Sequence, residues 1–479
     1  MHSEDPPKQF NLGMLTAMVV GSMVGAGIFS LPQIFGRLTG PLGALIAWLI
    51  SGVGMLMLAL VFQNLSRRRP ELDAGVYTYA KVGFGNYLGF SSAFGYWIGT
   101  CLGNVSYFII FKSILSTVVP SFGSGDTIQA VSVSSILLWI VHFTILQGIR
   151  EAAIVNTIAT VAKTLPIVIF IVFVAYGFKA DIFLLNFWGG PDEVFSWRDT
   201  FQQVRSTMLA TVFVFLGVEG ASVYSRHAKN RKDVGVATVF GFLSVLCLLM
   251  LVTMLSYGIM LRPELAALRN PSMSGVLEAV VGRWGSLFIN IALMVSVTSA
   301  FLSWTLLAAE VLFYAAKSNT MPRFLAKKNR KKVPTTALLL SSVVVQVFLV
   351  LTLFADQAFS VAKDLASSMN LIPYLLVAAF GLKVAFNGDG YRSSSRWRVA
   401  DIVCAFIATV YAAGLIYAGG LKYLFLSAAL YFLGTILFCM VRWERRKKLF
   451  TPLEWVCFLV VAVCAVLATY AISVGHIAV

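Results

Sequence analysis

"GSMVGAGIFSLP", residues 21–32, lies inside a stretch that otherwise reads as a helix crossing a membrane. Three glycines at 21, 25 and 27 and a proline at 32 gather where a lipid-facing segment can least tolerate them. Each glycine gives up about 0.5–1 kcal/mol of helix stability relative to alanine. Hydrocarbon offers no water to satisfy a loosened backbone. Such a segment is stable only if the break faces protein or a water-filled cavity.

The surrounding composition fixes the solvent. The 479 residues are 58% hydrophobic and only 12% charged, too little polar surface for a soluble domain of this length. Apolar stretches long enough to cross a bilayer recur about thirteen times. They fall near 11–35, 40–63, 85–119, 131–147, 154–178, 204–224, 236–260, 285–316, 335–355, 359–385, 399–418, 421–441 and 452–474. The chain reads as an all-α, multi-pass membrane protein. With the N-terminus in the cytoplasm, alternate loops carry Arg67–Arg69 with Lys81, Arg226 to Lys232, "KKNRKK" at 327–332, Arg392 to Arg398 and "RWERRKK" at 442–448. That is the positive-inside asymmetry, so the net charge of +16 needs no nucleic-acid partner. The polar start "MHSEDPPKQ" is not a signal-peptide n-region. Six cysteines sit singly in apolar segments and read as small buried hydrophobes, and the four histidines are scattered, so no metal site is expected.

No linker divides the chain, which reads as one membrane domain over 1–479. Segment 6, "VFVFLGVEGASVYS" at 212–225, is the other glycine-interrupted span, with Gly217 and Gly220 flanking Glu219. Two interrupted segments five apart point to inverted repeats, 10–178 and 204–385, followed by additional helices over 399–474. An odd number of helices per repeat makes the second start from the opposite face.

Several side chains are candidates for function. A carboxylate at membrane depth costs about 2.5–3.5 kcal/mol on insertion scales, so Glu219 either serves a cavity or is kept protonated against a backbone group. Asn104 belongs in the bundle interior, bonding either another helix or a substrate amine. Tyr96 and Tyr107 share its face as a polar-aromatic stripe. In "SVTSAFLSWTLLAAEVLF" at 296–313, Trp304 lies mid-segment and suits packing or gating, whereas Glu310 suits pairing, an inner gate or a proton site. Segment 10 brings Lys363, Asp364, Pro373 and Tyr374, the last a candidate gate beside a kink. No P-loop, GxSxG, HExxH or strand-borne GxGxxG is present, so the chain is read as a non-enzyme without a cofactor, powered by exchange or an ion gradient.

"GSMVGAGIFSLP", "LDAGVYTYAKVGFGNYLGFSSAFGYWIGTCLGNVSYF", "FVFLGVEGASV" and "SWTLLAAEVLF" resemble the basic amino acid/polyamine antiporters of the amino acid–polyamine–organocation superfamily. The likeness is to the arginine–ornithine antiporter and lysine permease branch, with arginine–agmatine antiporters in the same family. It implies a five-plus-five inverted-repeat fold, usually of twelve helices, with helices 1 and 6 unwound at the membrane centre. Gly25, Ala26 and Gly27 then match the backbone that binds the substrate carboxylate, flanked by Ser22 and Met23. Asn104 matches a helix-3 asparagine at the substrate's polar end, Phe213 an aromatic contact, and Leu216 an apolar one. Glu219 matches a glutamate linked to proton sensing, while Tyr96, Trp304 and Tyr374 resemble gate layers. Phe213 stands where enteric exchangers carry tryptophan, and Ala26 where they carry serine.

The expected activity is exchange of a cationic amino acid, arginine foremost, for ornithine or agmatine across the bacterial inner membrane by alternating access. The carboxylate would meet freed N–H groups of helix 1, and the cationic tail Asn104, Phe213, Trp304 and Glu219. A proton-coupled lysine permease is the alternative, and a channel or a non-transporting amino acid sensor the reading from a different class. The expected partners are the small cationic substrate and the lipid bilayer, with a homodimer kept as one assembly.

Overall fold

The computed structural model describes residues 11–72, 76–117, 119–122, 127–148, 152–189, 194–219, 231–354, 357–391 and 396–474. Among them the chain is helical. Ten helices are long and apolar enough to cross a membrane, or eleven if the bent pair in the first segment is one span. The span expected at 154–178 is the helix Ala152–Tyr176, with side chains described from Lys163 onward. The one expected at 204–224 is the helix Trp197–Phe215; Gly220 and the rest of that segment lie outside the described residues.

The chain separates into two compact units. One comprises Met1–Asp73, Asn156–Ser296 and Gly381–Tyr411; the other comprises Ala74–Val155, Val297–Phe380 and Ala412–Val479. In the first unit, α1 (Leu12–Met23) begins where Asn11 accepts a hydrogen bond from Met14 N, an N-cap that satisfies one orphan donor. It stops at Val24. Gly25 is extended, Ala26–Ser30 winds into a 3₁₀ turn, and α2 (Leu31–Leu38) resumes with Pro32 in its first turn, where a missing N–H costs nothing. The two halves are bent by 50°. A column of rings holds this bend: Phe35 stacks on Trp48 at 5.1 Å, Trp48 meets Phe215 edge-on at 6.1 Å, and Phe215 stacks on Phe242 at 5.1 Å. It joins α2 to α3 (Pro41–Arg68) and the later helices 197–215 and 231–256.

The second half-helix is also clamped by hydrogen bonds between side chains and main chain that link it to the segment 257–282. Arg262 Nε donates to Gly36 O at 3.0 Å, Arg37 Nε to Ala266 O at 2.9 Å, and Gln33 N to Ser272 Oγ at 3.1 Å. Tyr257 OH donates to Thr39 O at 2.7 Å. α2 is therefore carried by its neighbours rather than by its own eight residues, too few to be stable alone.

In the second unit, α4 (Val76–Phe84) packs on α5 (Asn86–Leu115). Phe108 of α5 stacks on Phe301 at 4.1 Å, and Trp97 donates to Ser341 Oγ at 2.9 Å. The thirteenth segment forms the helix Pro452–Ser473, long and apolar enough to span, with only 11% of its apolar window buried. Its Glu454 completes a capping box with Thr451, and its other oxygen accepts Tyr87 N at 3.1 Å. One carboxylate thus caps two helix starts, its own and that of α5. The cysteines correct the expectation of burial. Cys101 is buried, but Cys247 is exposed and Cys404, Cys439, Cys457 and Cys464 are half-buried, because an apolar side chain on a spanning helix can face lipid as readily as core.

Candidate functional site: the helix break of the first unit

At the α1 break, Val24 N closes the last helical hydrogen bond on Val20 O at 2.8 Å. The turn opening at Ala26 leaves its first N–H groups without intrahelical acceptors, and these carry the positive end of the second half-helix. The carbonyl end of α1 is the negative pole, and a cation sits on it: Lys163 Nζ donates to Gly21 O at 2.5 Å. Ser22 Oγ donates to Val19 O at 2.8 Å and to Gly217 O at 3.0 Å.

The second interrupted segment lies against the first. Its helix, Trp197–Phe215, ends at Leu216, where Leu216 N reaches Phe213 O at 3.3 Å. Gly217 follows with φ +102°, and a Cβ there would lie 2.4 Å from Ser22 O. Only glycine fits both the backbone angle and that approach. Gly27 is the reciprocal case: a Cβ would lie 2.9 Å from the Phe213 ring and 3.1 Å from Val214 Cγ1. Ser22, Met23, Gly25, Ala26, Gly27, Phe213 and Leu216 are thereby gathered around one break, with Met23, Ala26, Phe213 and Leu216 buried. Glu219 is buried two residues past Gly217. Such a site offers main-chain donors for an anion, an aromatic face for a cation and a carboxylate nearby.

The remaining candidates belong to the second unit. Asn104 is 1% exposed; its Nδ2 donates to Thr305 Oγ1 at 2.8 Å, while its Oδ1 has no hydrogen-bond partner among the described residues. A buried amide oxygen left unpaired costs about 1–3 kcal/mol. Trp304, beside Thr305, meets Tyr107 edge-on at 5.8 Å and packs where Gly103 lacks a side chain. Tyr96 is half-buried, its carbonyl accepting Thr100 Oγ1 at 2.7 Å, and Tyr374 is wholly buried. Glu310 is exposed and under the attraction of Lys328, whose Nζ lies 4.2 Å above the Phe313 ring centroid. Lys363 pairs with Asp364.

A family model for amino acid permeases matches residues 10–441. The chain belongs to that family. It is 49% identical over 483 residues to the arginine/ornithine antiporter of Pseudomonas aeruginosa, covering 99% of both chains. It is also 40% identical over 455 residues to the L-lysine transport protein of Corynebacterium glutamicum, covering 92% of this permease and 90% of the relative. To the arginine/agmatine antiporter of Chlamydia pneumoniae it is 37% identical over 474 residues, covering 98% of both. Composition required a chain that crosses the membrane many times, and the motifs of the broken segments resembled this family.

Two features escaped the reading of the sequence. Lys163 stands in "TVAKTLPIVIF", and the rule that singled out Glu219, an ionisable group within an apolar span, applies to it equally. The second is a glycine ladder on α5. A Cβ at Gly95 would meet Tyr431 Oη at 1.9 Å, one at Gly99 Asn370 Nδ2 at 2.1 Å, and one at Gly103 the Trp304 ring at 3.4 Å. The four-residue spacing of "GYWIGTCLG" is the small-residue pattern by which membrane helices approach closely.

Proposed function

We propose that this permease exchanges a cationic amino acid, arginine foremost, for ornithine or agmatine by alternating access across the bacterial inner membrane, with its N-terminus in the cytoplasm and no covalent chemistry. The observation that carries the reading is the α1 break. There the 3₁₀ turn opens at Ala26 with a positive half-helix end, and Gly27 packs against the buried ring of Phe213, as an α-amino acid with an apolar-stemmed cationic tail requires. Gly25, Ala26 and Gly27 hold the carboxylate, Ser22 and Met23 flank it, and Phe213 and Leu216 contact the chain. With Ala26 offering no hydroxyl, the clamp is main-chain. Asn104 Oδ1 is an acceptor suited to a substrate N–H, Trp304 packs at the substrate, and Tyr96, Glu219, Glu310 and Tyr374 gate the path or carry its proton linkage. The repeats 10–178 and 204–385 supply the two breaks. The choice of arginine and ornithine draws on the end-to-end likeness to the Pseudomonas antiporter.

Counterflow into proteoliposomes tests it. Vesicles loaded with ornithine or agmatine should take up labelled arginine, and empty vesicles should not. Equal arginine uptake into empty vesicles removes obligatory exchange. The likeness to the Corynebacterium protein favours lysine as the second reading; lysine uptake driven by an imposed proton gradient, without internal substrate, would select it.

A further inference from the structure

We infer that the second unit carries a binding site for an anionic phospholipid headgroup, formed by Lys81, Arg445 and Lys447 around the turn 318–320 that follows the helix Arg283–Lys317.

The cations converge on one turn instead of spreading over the surface. Lys81 Nζ donates to Ser318 O at 2.8 Å and to Thr320 Oγ1 at 3.1 Å. Arg445 Nη2 donates to the side chain of Asn319 in the same turn. Burial, then repulsion from Arg445 and Lys447, holds the Lys81 ammonium below the usual lysine range. Lys81 and Arg445 are thus both anchored on the turn 318–320, with the exposed Lys447 two residues beyond Arg445. The carboxylates close by in sequence are engaged elsewhere: Glu444 accepts Arg323 N at 3.1 Å, and Glu454 accepts Tyr87 N and Thr451 N and faces Arg442. An arrangement that gathers like charges and diverts nearby carboxylates is complementary to a multivalent anion.

Its depth selects the lipid. The turn lies at the end of the helix Arg283–Lys317, and Arg445 and Lys447 directly follow the apolar helix Gly420–Glu444, a candidate span. Trp443 beside them is 82% exposed, the placement of an aromatic ring at the headgroup level. Basic clusters at this depth attract anionic lipid at about 1 kcal/mol per charge, or roughly fivefold in affinity.

The test measures thermal unfolding of the detergent-purified full chain, titrated with phosphatidylglycerol, phosphatidylcholine or glycerol 3-phosphate. Phosphatidylglycerol should raise the midpoint saturably, and the other two should not. Arg445→Gln with Lys447→Gln should weaken half-saturation roughly 30-fold. Lys331→Gln with Lys332→Gln, the same charge loss on a loop packed near Gly148, should leave it within twofold. Native mass spectrometry of retained lipid on the single variant Lys447→Gln, an exposed side chain, gives a second readout if the double variant fails to fold. Equal losses for the two pairs would reduce the effect to overall surface charge and overturn the site. So would an equal response to glycerol 3-phosphate, which would make the ligand a free anion, or no preference over phosphatidylcholine.

Discussion

Replacing Gly217 by alanine tests whether the two interrupted segments rest on one another. The cost has two separable parts. A residue with a Cβ at φ +102° bears about 1–2 kcal/mol of backbone strain. The added carbon would also lie 2.4 Å from Ser22 O, about 1 Å inside ordinary contact, against a main-chain atom that cannot swing away; overpacking of this kind costs about 1–3 kcal/mol. Gly85 provides the control. Its φ is +98°, yet nothing lies within 4 Å of the position a Cβ would take. Gly85→Ala should therefore show the conformational part alone, and Gly217→Ala both parts, about 2–5 kcal/mol in total. Denaturant unfolding in detergent measures the difference, and ornithine–arginine counterflow shows its consequence: abolished exchange for Gly217→Ala, retained exchange for Gly85→Ala. Equal destabilisation by the two substitutions would refute the close approach of the segments, and with it the account of the site.

Gly27→Ala presses on the Phe213 ring at 2.9 Å, and a ring can yield; transport should fall at least tenfold and recover in part with Phe213→Leu, a coupling that a double-mutant cycle on counterflow reads directly. Lys163→Met keeps the apolar stem but removes the ammonium from Gly21 O, leaving a helix-end carbonyl unsatisfied; a loss of about 2 kcal/mol in denaturant unfolding is expected, and an unchanged midpoint would exclude the contact. The lowered pKa of Lys81 makes stability depend on pH. The unfolded side chain titrates near 10.5 and the native one lower, so between those values the unfolded state binds more protons and stability rises with pH. Below the native value the penalty is constant, and Lys81→Met should abolish the rise in a pH series of unfolding midpoints.

The break in the first segment and the end of the helix Trp197–Phe215 were legible because each is a local offence against a membrane helix: glycines at 21, 25 and 27, and Gly217 beside Glu219, are weak helix formers where the bilayer demands strong ones. Glu219, Asn104 and Trp304 stood out for the same reason, as polar or amphipathic groups in apolar spans. Glu310 stood out too, but its side chain is at the surface facing Lys328, a placement that depends on the turn 318–334 folding back. Lys163, equally out of place in hydrocarbon, was passed over, since a lone lysine says nothing about which carbonyl it will meet. The Gly95–Gly99–Gly103 ladder was visible as spacing, yet its partners Tyr431, Asn370 and Trp304 come from three distant stretches of chain.

By itself the sequence determined the solvent, the positions of the spans and the places where the first of them breaks and the helix Trp197–Phe215 ends, because transfer free energy and helix propensity are properties of short stretches. Only the tertiary structure decided that Ser22 meets Gly217, that Gly27 meets Phe213, that Lys163 caps the first half-helix and that Glu454 caps α5 as well as its own helix. Those pairings join residues 142 to 367 positions apart. Which of several compatible partners a glycine, a cation or a carboxylate finds is fixed by how whole helices pack, and that choice leaves no local mark on the chain.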